Sequence, residues 1–399
     1  MRALRREGRS GSARDGSGMA VELILWGAAL ALGYTYLGYP ILIGMLARWR
    51  PRSGRRRPIA PPVTVIMAVH DEAAHIDERI RNLLALDYPR ERLEILVGSD
   101  GSSDDTAARA RACARRGIRV VEFAARRGKA AVINDLVPLA RGDLVVMADA
   151  RQRFAPGALR ALAAPFADPR VGVVGGELVL RRAARGSVAG GGIGSYWTVE
   201  TNIRRSESRF DSTVGASGAI YAVRRELLEP IPADTILDDV LIPMRAARRG
   251  YRVVLEPAAR AYDRPAPSAR HEFARKARTL AGNFQLFARE RWLLHPSRNR
   301  LWFQTVSHKV LRLLGPLLLV AALVANALLL DRRLYLATFM AQIAFYGAAF
   351  AGRRGRDRAG CPSWLVLPYV VCMLNWAVVV GFARFVTARQ GAAWDRAAR

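Results

Sequence analysis

The sequence predicts an α/β domain, an open parallel sheet with helices on both faces, set between membrane-spanning helices. Three observations predict it. Strand, polar loop and helix alternate along residues 62–149, with four strands. An apolar run at 19–47 precedes that stretch, and three more, at about 310–330, 334–351 and 363–387, follow it.

The 399 residues are 51% hydrophobic and 24% charged, which excludes a disordered or fibrous chain and allows two or three structural units. Three cysteines, Cys113, Cys361 and Cys372, exclude a disulfide framework or a zinc cluster. The formal charge of +28 raises nucleic acid as a partner, but 59 of the 62 basic residues are arginine, scattered and without interleaved aromatics. That pattern reads as codon bias, and no nucleic-acid partner is expected.

Residues 1–18 are Arg/Gly/Ser-rich and read as disordered, with Met19 an alternative start. Residues 19–47 hold one acid and no base and exceed the roughly 20 residues needed to cross a bilayer. They read as an uncleaved anchor. The basic linker 48–58 carries six arginines, which by the positive-inside rule puts the domain that follows in the cytoplasm, on the inner face of a plasma membrane. The domain itself is expected over 59–290, an interfacial amphipathic segment over 291–308, a C-terminal membrane region over 309–387 and a basic tail over 388–399. Trp292, Leu293, Leu294, Leu301, Trp302 and Phe303 suggest the interfacial segment. The last apolar run holds Pro362, Pro368 and Asn375, and its topology, spanning or re-entrant, stays open.

Within the domain, PVTVIMAV (62–69) reads as a buried parallel strand ending at His70, Asp71 and Glu72. Ile76, Ile80, Leu83 and Leu84 then fall on one helical face. A second strand, Leu93 to Gly98, runs into Ser99–Asp104; a helix (Thr106 to Arg116) and a strand (Arg119 to Phe123) follow. After Arg126-Arg127-Gly128-Lys129 comes a helix to about Leu139, then a strand, Asp143 to Ala148, ending at Asp149. Open α/β sheets bind ligands beyond the carboxyl ends of their strands. Asp71, Glu72, Asp100 and Asp149 gather there; they suit a ribose, a base and a divalent cation, and Lys129 suits a diphosphate. Asp104 reads instead as a turn or cap residue.

With these residues in view, the chain resembles the membrane-embedded family 2 inverting glycosyltransferases, relatives of cellulose and hyaluronan synthases, over about residues 60–300. AVHDEAAHI (68–76) is similar to the opening motif, with Asp71 in place of Asn; SDGSSDDT (99–106) and RRGKAAVIN (126–134) are similar to the nucleotide-binding elements. The resemblance implies a GT-A type, Rossmann-like nucleotide-sugar domain flanked by transmembrane helices. It assigns Glu72, Asp100, Lys129, Asp149 and Arg278 to the nucleotide sugar. MADARQRF (147–154) stands where a metal-binding Asp-x-Asp lies. Asp149 matches the first acid and Arg151 replaces the second, so Mg²⁺ or Mn²⁺ would rely on Asp149, phosphates and water.

ILDDVLIPMRAARRGYRV (236–253) is similar to the segment that carries the general base, which makes Asp239 the catalytic residue and Asp238 its acidic, acceptor-side neighbour. VGASGAIYAVRRELL (214–228) looks like the acceptor loop, with Gly215, Ser217 and Gly218. In HEFARKARTLAGNFQLF (271–287), Arg275, Arg278 and Thr279 occupy the Gln, Arg and Trp positions of processive relatives, which removes the stacking Trp. The function implied is transfer from a UDP-linked sugar to a polysaccharide or lipid-linked acceptor. The alternative is a catalytically degenerate nucleotide-sugar scaffold or sensor of an export complex.

Overall fold

The computed structural model describes residues 7–52, 54–113, 118–180, 188–264, 268–355 and 362–388. The expectations for residues 1–6, for the end of the helix reaching Arg116, for Cys361 and for the tail from 389 lie outside the described residues.

The centre is one eight-stranded sheet in the order β3-β2-β1-β4-β7-β6-β8-β5. Strands β1 (Val63–Val69), β2 (Leu93–Asp100), β3 (Ile118–Phe123) and β4 (Leu144–Ala148) fall where the sequence predicts them and pair in parallel. Their crossovers are α3 (Ile76–Leu84), α4 (Thr106–Ala112) and α5 (Lys129–Leu136). Because side chains alternate along a strand, β1 feeds two cores. Val65, Met67 and Val69 pack with Ile76, Ile80 and Leu83 on one face. Ile66 and Ala68 pack with Val132, Ile133 and Leu136 on the other.

The sheet is not parallel throughout, which corrects the sequence expectation. Strand β7 (Ile220–Arg224) runs antiparallel to both β4 and β6 (Val171–Leu180). Strand β8 (Arg252–Asp263) is parallel to β6 and antiparallel to β5 (Arg153–Phe154). Pro257 lies where the β6–β8 register breaks, between the Gly176–Glu256 and Glu177–Arg260 pairs, the kind of position at which a strand tolerates proline. Helix α6 (Ala158–Ala163) covers one face; α8 (Asp238–Arg248) joins the other core through Val240, Leu241 and Met244.

Among the described residues four helices are long and apolar enough to cross a bilayer: Gly18–Trp49, Trp302–Ala327, Arg333–Gly355 and Trp364–Val386. The first is built from α1 (Glu7–Gly33), a π turn and α2 (Tyr39–Trp49). The helix therefore starts at Glu7, inside the stretch expected to be disordered. The second comprises α10 (Trp302–Thr305), a π turn (Val306–Val310) and α11 (Leu311–Ala327); the third and fourth are α12 (Arg333–Gly355) and α13 (Ser363–Val386). The last apolar run, left open above, is one continuous helix in spite of Pro368. The interfacial expectation for 291–308 is corrected in part. Trp292, Leu293 and Leu301 are buried in the core with α8, so they face protein rather than lipid, while Leu294 and Trp302 stay exposed.

Candidate functional site

The parallel register aligns Ala68 with Gly98 and Ile66 with Met147, so Asp71, Asp100 and Asp149 all leave the sheet at one edge. Antiparallel β7 begins opposite the end of β4, Ile220 against Ala148, and brings residues 213–219 to the same edge. The first turn of α8, with Asp238 and Asp239, closes the cleft.

On the side of the cleft formed by the ends of β1 and β2 the acids are held mainly by backbone N–H groups and hydroxyls. Asp100 is buried, and its carboxylate accepts the backbone N–H groups of Arg127 (2.7 Å) and Gly128 (2.8 Å). Two such charge-assisted bonds, each of about 1.5–3 kcal/mol, fix the loop that delivers Lys129. Asp71 sits at φ 51°, a strained angle for a non-glycine residue, and accepts the Ser103 N–H at 2.8 Å. Glu72 reaches His75 at 2.9 Å, with its own N–H on the Thr106 hydroxyl. Asp104 accepts the Thr106 N–H at 3.0 Å, the cap-like role expected of it.

On the other side charges meet one another. Lys129 Nζ lies 3.1 Å from Asp149 Oδ1 and 3.4 Å from Asp238 Oδ2. Burial alone would depress the lysine, but the carboxylates of Asp149, Asp238 and Asp239 outweigh it and hold the ammonium well above the ordinary range. Asp239 Oδ2 accepts the Gly218 N–H at 2.9 Å. Burial, then the neighbouring Asp238 charge, raises the Asp239 carboxyl above the usual carboxylate range; Lys129, Lys309 and Arg204 oppose the shift. A carboxyl raised in this way is a stronger proton acceptor than an ordinary carboxylate.

The loop ahead of β7 owes its glycine to this contact: a Cβ on Gly218 would stand 3.1 Å from Asp239 Oδ2. Ser217 is half-exposed on the same loop. Arg278 lies on α9 (Ala269–Arg289), which is joined to the segment before Asp238 by Gln285, whose Oε1 accepts the Ile236 N–H at 3.0 Å. Gly282, one turn beyond Arg278, touches Leu237 so closely that a Cβ would fall 2.7 Å from its Cγ. Arg275 is instead engaged by Glu272 at 3.1 Å.

Among the described residues no group of three or more His, Cys, Asp or Glu side chains forms a metal cage. At the expected metal position stands one carboxylate, Asp149, one-third exposed and paired with Lys129, with Arg151 exposed beside it. One carboxylate fits a cation that completes its shell with phosphate oxygens and water.

Three sets of residues escaped the sequence reading. Tyr221 donates its hydroxyl to Asp238 Oδ2 at 3.3 Å from the middle of the buried sheet. Arg79, on the buried face of α3, stacks on Phe154 at 4.0 Å; burial lowers it to about 9 against the attraction of Asp149. Glu200 and Glu207, on α7 (Val188–Phe210), clasp His308 at 3.1 and 2.8 Å. They tie that helix to the π turn that also carries Lys309. A tyrosine inside a strand, and charges 100 residues apart, leave no local pattern to read.

A profile of the glycosyltransferase-like family 2 matches residues 61–290. The chain belongs to that family. The glycosyltransferase 2 chain is similar to a beta-monoglucosyldiacylglycerol synthase of Trichormus variabilis, 30% identical over 161 residues, 39% of this chain and 34% of that one. It is also similar to a poly-beta-1,6-N-acetyl-D-glucosamine synthase of Staphylococcus aureus, 28% identical over 207 residues, 49% of this chain and 48% of that one. It thus spans between a third and a half of the length of these curated relatives. A mannosyltransferase of Pyrobaculum calidifontis, solved in complex with GDP-Man and Mn²⁺, matches with a TM-score of 0.69 at 25% identity, over 92% of this chain and 99% of that one. The GT-A type domain flanked by apolar helices, expected above, is the observed architecture.

Proposed function

We propose that the protein is a membrane-bound inverting glycosyltransferase that moves a sugar from a nucleoside-diphosphate donor to a glycan or lipid-linked acceptor. The meeting of Lys129, Asp149, Asp238 and Asp239 at one strand edge supports this most strongly. Asp239 takes the proton of the acceptor hydroxyl as that oxygen attacks the anomeric carbon in line with the departing diphosphate. Gly218 aims the carboxylate by its N–H, and Asp238 and Tyr221 keep the wall of the cleft polar beside it. Lys129 and Arg278 take up charge on the diphosphate, while Asp100 and Glu72 hold the nucleotide end. Asp149 would be the residue to hold a divalent cation, which would supply further neutralisation of the leaving group. The arginines of 48–58 assign the domain to the cytoplasmic face of a multi-pass inner-membrane protein.

The test is a panel of UDP- and GDP-linked sugars with membranes holding the full chain, read by mass spectrometry of the products. The panel carries both because uridine is expected from the sequence whereas the Pyrobaculum relative was solved with GDP-Man. Asp239→Asn is expected to lower turnover by about 10²–10⁴-fold with nucleotide affinity, by calorimetry, nearly unchanged. An unchanged rate removes Asp239 from the role. Nucleotide binding without turnover in the parent chain, across all sugars and both metals, would favour the scaffold reading, for which the Arg151 replacement is the supporting observation.

A further inference from the structure

Helices α2 and α7 meet along a seam of Tyr39 and Ile43 against Ile203. Beside it, a second row on each helix does not close. Ile41, Met45 and Arg48 of α2, with Ser206 and Arg209 of α7, line an open cleft of about 330 Å³. The spacings 41, 45, 48 and 206, 209 put each row on one helical face. Gly44 supplies no side chain to fill the gap.

The lining is divided by polarity along the helix axis. Ile41 and Met45 are 62% and 60% exposed, as side chains facing acyl chains would be. Arg48 and Arg209 are exposed and have no acidic partner among the described residues, whereas the neighbouring Arg204, Arg205 and Arg52 are paired with Glu200, Glu177 and Asp211. Trp49, 76% exposed with Arg50 over its ring, marks the level at which α2 leaves the apolar layer. An apolar slot that ends in two unpaired guanidinium groups at that level fits a phosphodiester with an acyl chain attached.

We propose that this cleft is a binding site for an anionic phospholipid. The phosphate sits between Arg48 and Arg209, with the Ser206 hydroxyl within the same pocket, and one acyl chain runs along Ile41 and Met45. Only the membrane placement of α2 is needed, not the chemistry of the cleft at the strand edge. Helix α7 leads directly into the loop that presents Gly218 to Asp239, so an occupied site would steady that loop from the membrane side.

Native mass spectrometry of the detergent-purified full chain, given equal amounts of phosphatidylglycerol and phosphatidylcholine, reads the site without reference to any sugar. The parent chain is expected to retain phosphatidylglycerol preferentially. Each arginine near a charged lipid surface contributes roughly fivefold, so Arg48→Ala with Arg209→Ala should lower that preference by about 25-fold. Arg48→Lys with Arg209→Lys keeps the charge and should keep most of it, which separates lost binding from lost folding. Arg90→Ala with Arg141→Ala, at the far end of the sheet, removes equal charge and should change nothing. An undiminished preference in the alanine pair, or an equal loss in the Arg90/Arg141 pair, overturns the site. Inorganic phosphate that displaces the lipid as well as added phosphatidylglycerol does would overturn the lipid as its occupant.

Discussion

The two sides of the cleft hold their carboxylates by different means. Around Asp71, Asp100 and Asp104 the hydrogen-bond donors are mainly backbone N–H groups and hydroxyls, with His70 3.6 Å from Asp71, and the effect is to fix loops. Around Asp149, Asp238 and Asp239 the dominant partner is Lys129, and three carboxylates share it. The first arrangement is cheap to maintain, because neutral donors satisfy each acid where it stands. The second leaves like charges close together in a poorly solvated place, which is useful where a proton and a diphosphate must be handled. A site can therefore be divided into parts that shape it and parts that carry its charge.

That division can be broken by substitution, beginning with Lys129→Met. Loss of the shared ammonium is expected to cut turnover by about 10²–10³-fold. It should also move the acid limb of the pH–rate profile upward. On the proposed function the working form of Asp239 is the deprotonated one, so activity falls as pH drops through its raised value, and removing a positive neighbour raises that value further. A pH–rate profile whose acid limb stays in place would break the shared-charge account.

Asp100→Asn probes the other side. The amide offers one acceptor and turns an NH₂ toward a backbone N–H, leaving a buried donor unsatisfied at about 1–3 kcal/mol. Donor affinity, measured by calorimetry, should weaken by roughly tenfold or more with turnover at saturation far less affected. A smaller, local effect is expected from Gly218→Ala, whose Cβ would press on Asp239 Oδ2 from 3.1 Å. Turnover should drop by about tenfold with nucleotide affinity preserved, since misplacing a reacting group by fractions of an ångström already lowers rates.

The smallest effect lies outside the cleft. Glu94 on β2 accepts from Thr64 at 2.7 Å and from Arg119 and the Arg141 N–H at 3.0 Å each. Burial would raise its carboxyl, but these bonds prevail and hold it below the ordinary value. Its stabilisation is therefore present above the unfolded-state value and lost as pH falls through the folded one. Glu94→Gln should lower stability by about 1 kcal/mol at neutral pH and by less near pH 4, with transfer activity unchanged. A Tm deficit that does not shrink in acid would reject the charge as its source.

The first half of the domain was legible because each strand is a short apolar run and each helix repeats at 3.6 residues, so β1 to β4 and the starts of their crossovers could be placed within a residue or two, while α4 and α5 end earlier than expected. The second half was not. Strand β6 carries Gly175 and Gly176, and β8 holds Arg252, Pro257 and Arg260, none of which signals a strand locally. They are strands because the edge left open by β7 demands partners for its backbone. Trp292 and Leu301 misled for a related reason: aromatic and aliphatic residues beside a membrane helix read as interfacial, yet α8 offered them a protein core.

The sequence by itself determined that four apolar runs flank an α/β domain and that Asp71, Asp100 and Asp149 stand at strand ends, because periodicity and run length are local properties. Only the tertiary structure decided that Lys129 meets Asp149 and Asp238, that Gly218 aims Asp239, and that Tyr221 and Arg79 stand behind them. Those contacts join residues 17 to 109 positions apart through the order of the strands. No local pattern encodes that order, since it is fixed by which faces can be buried together.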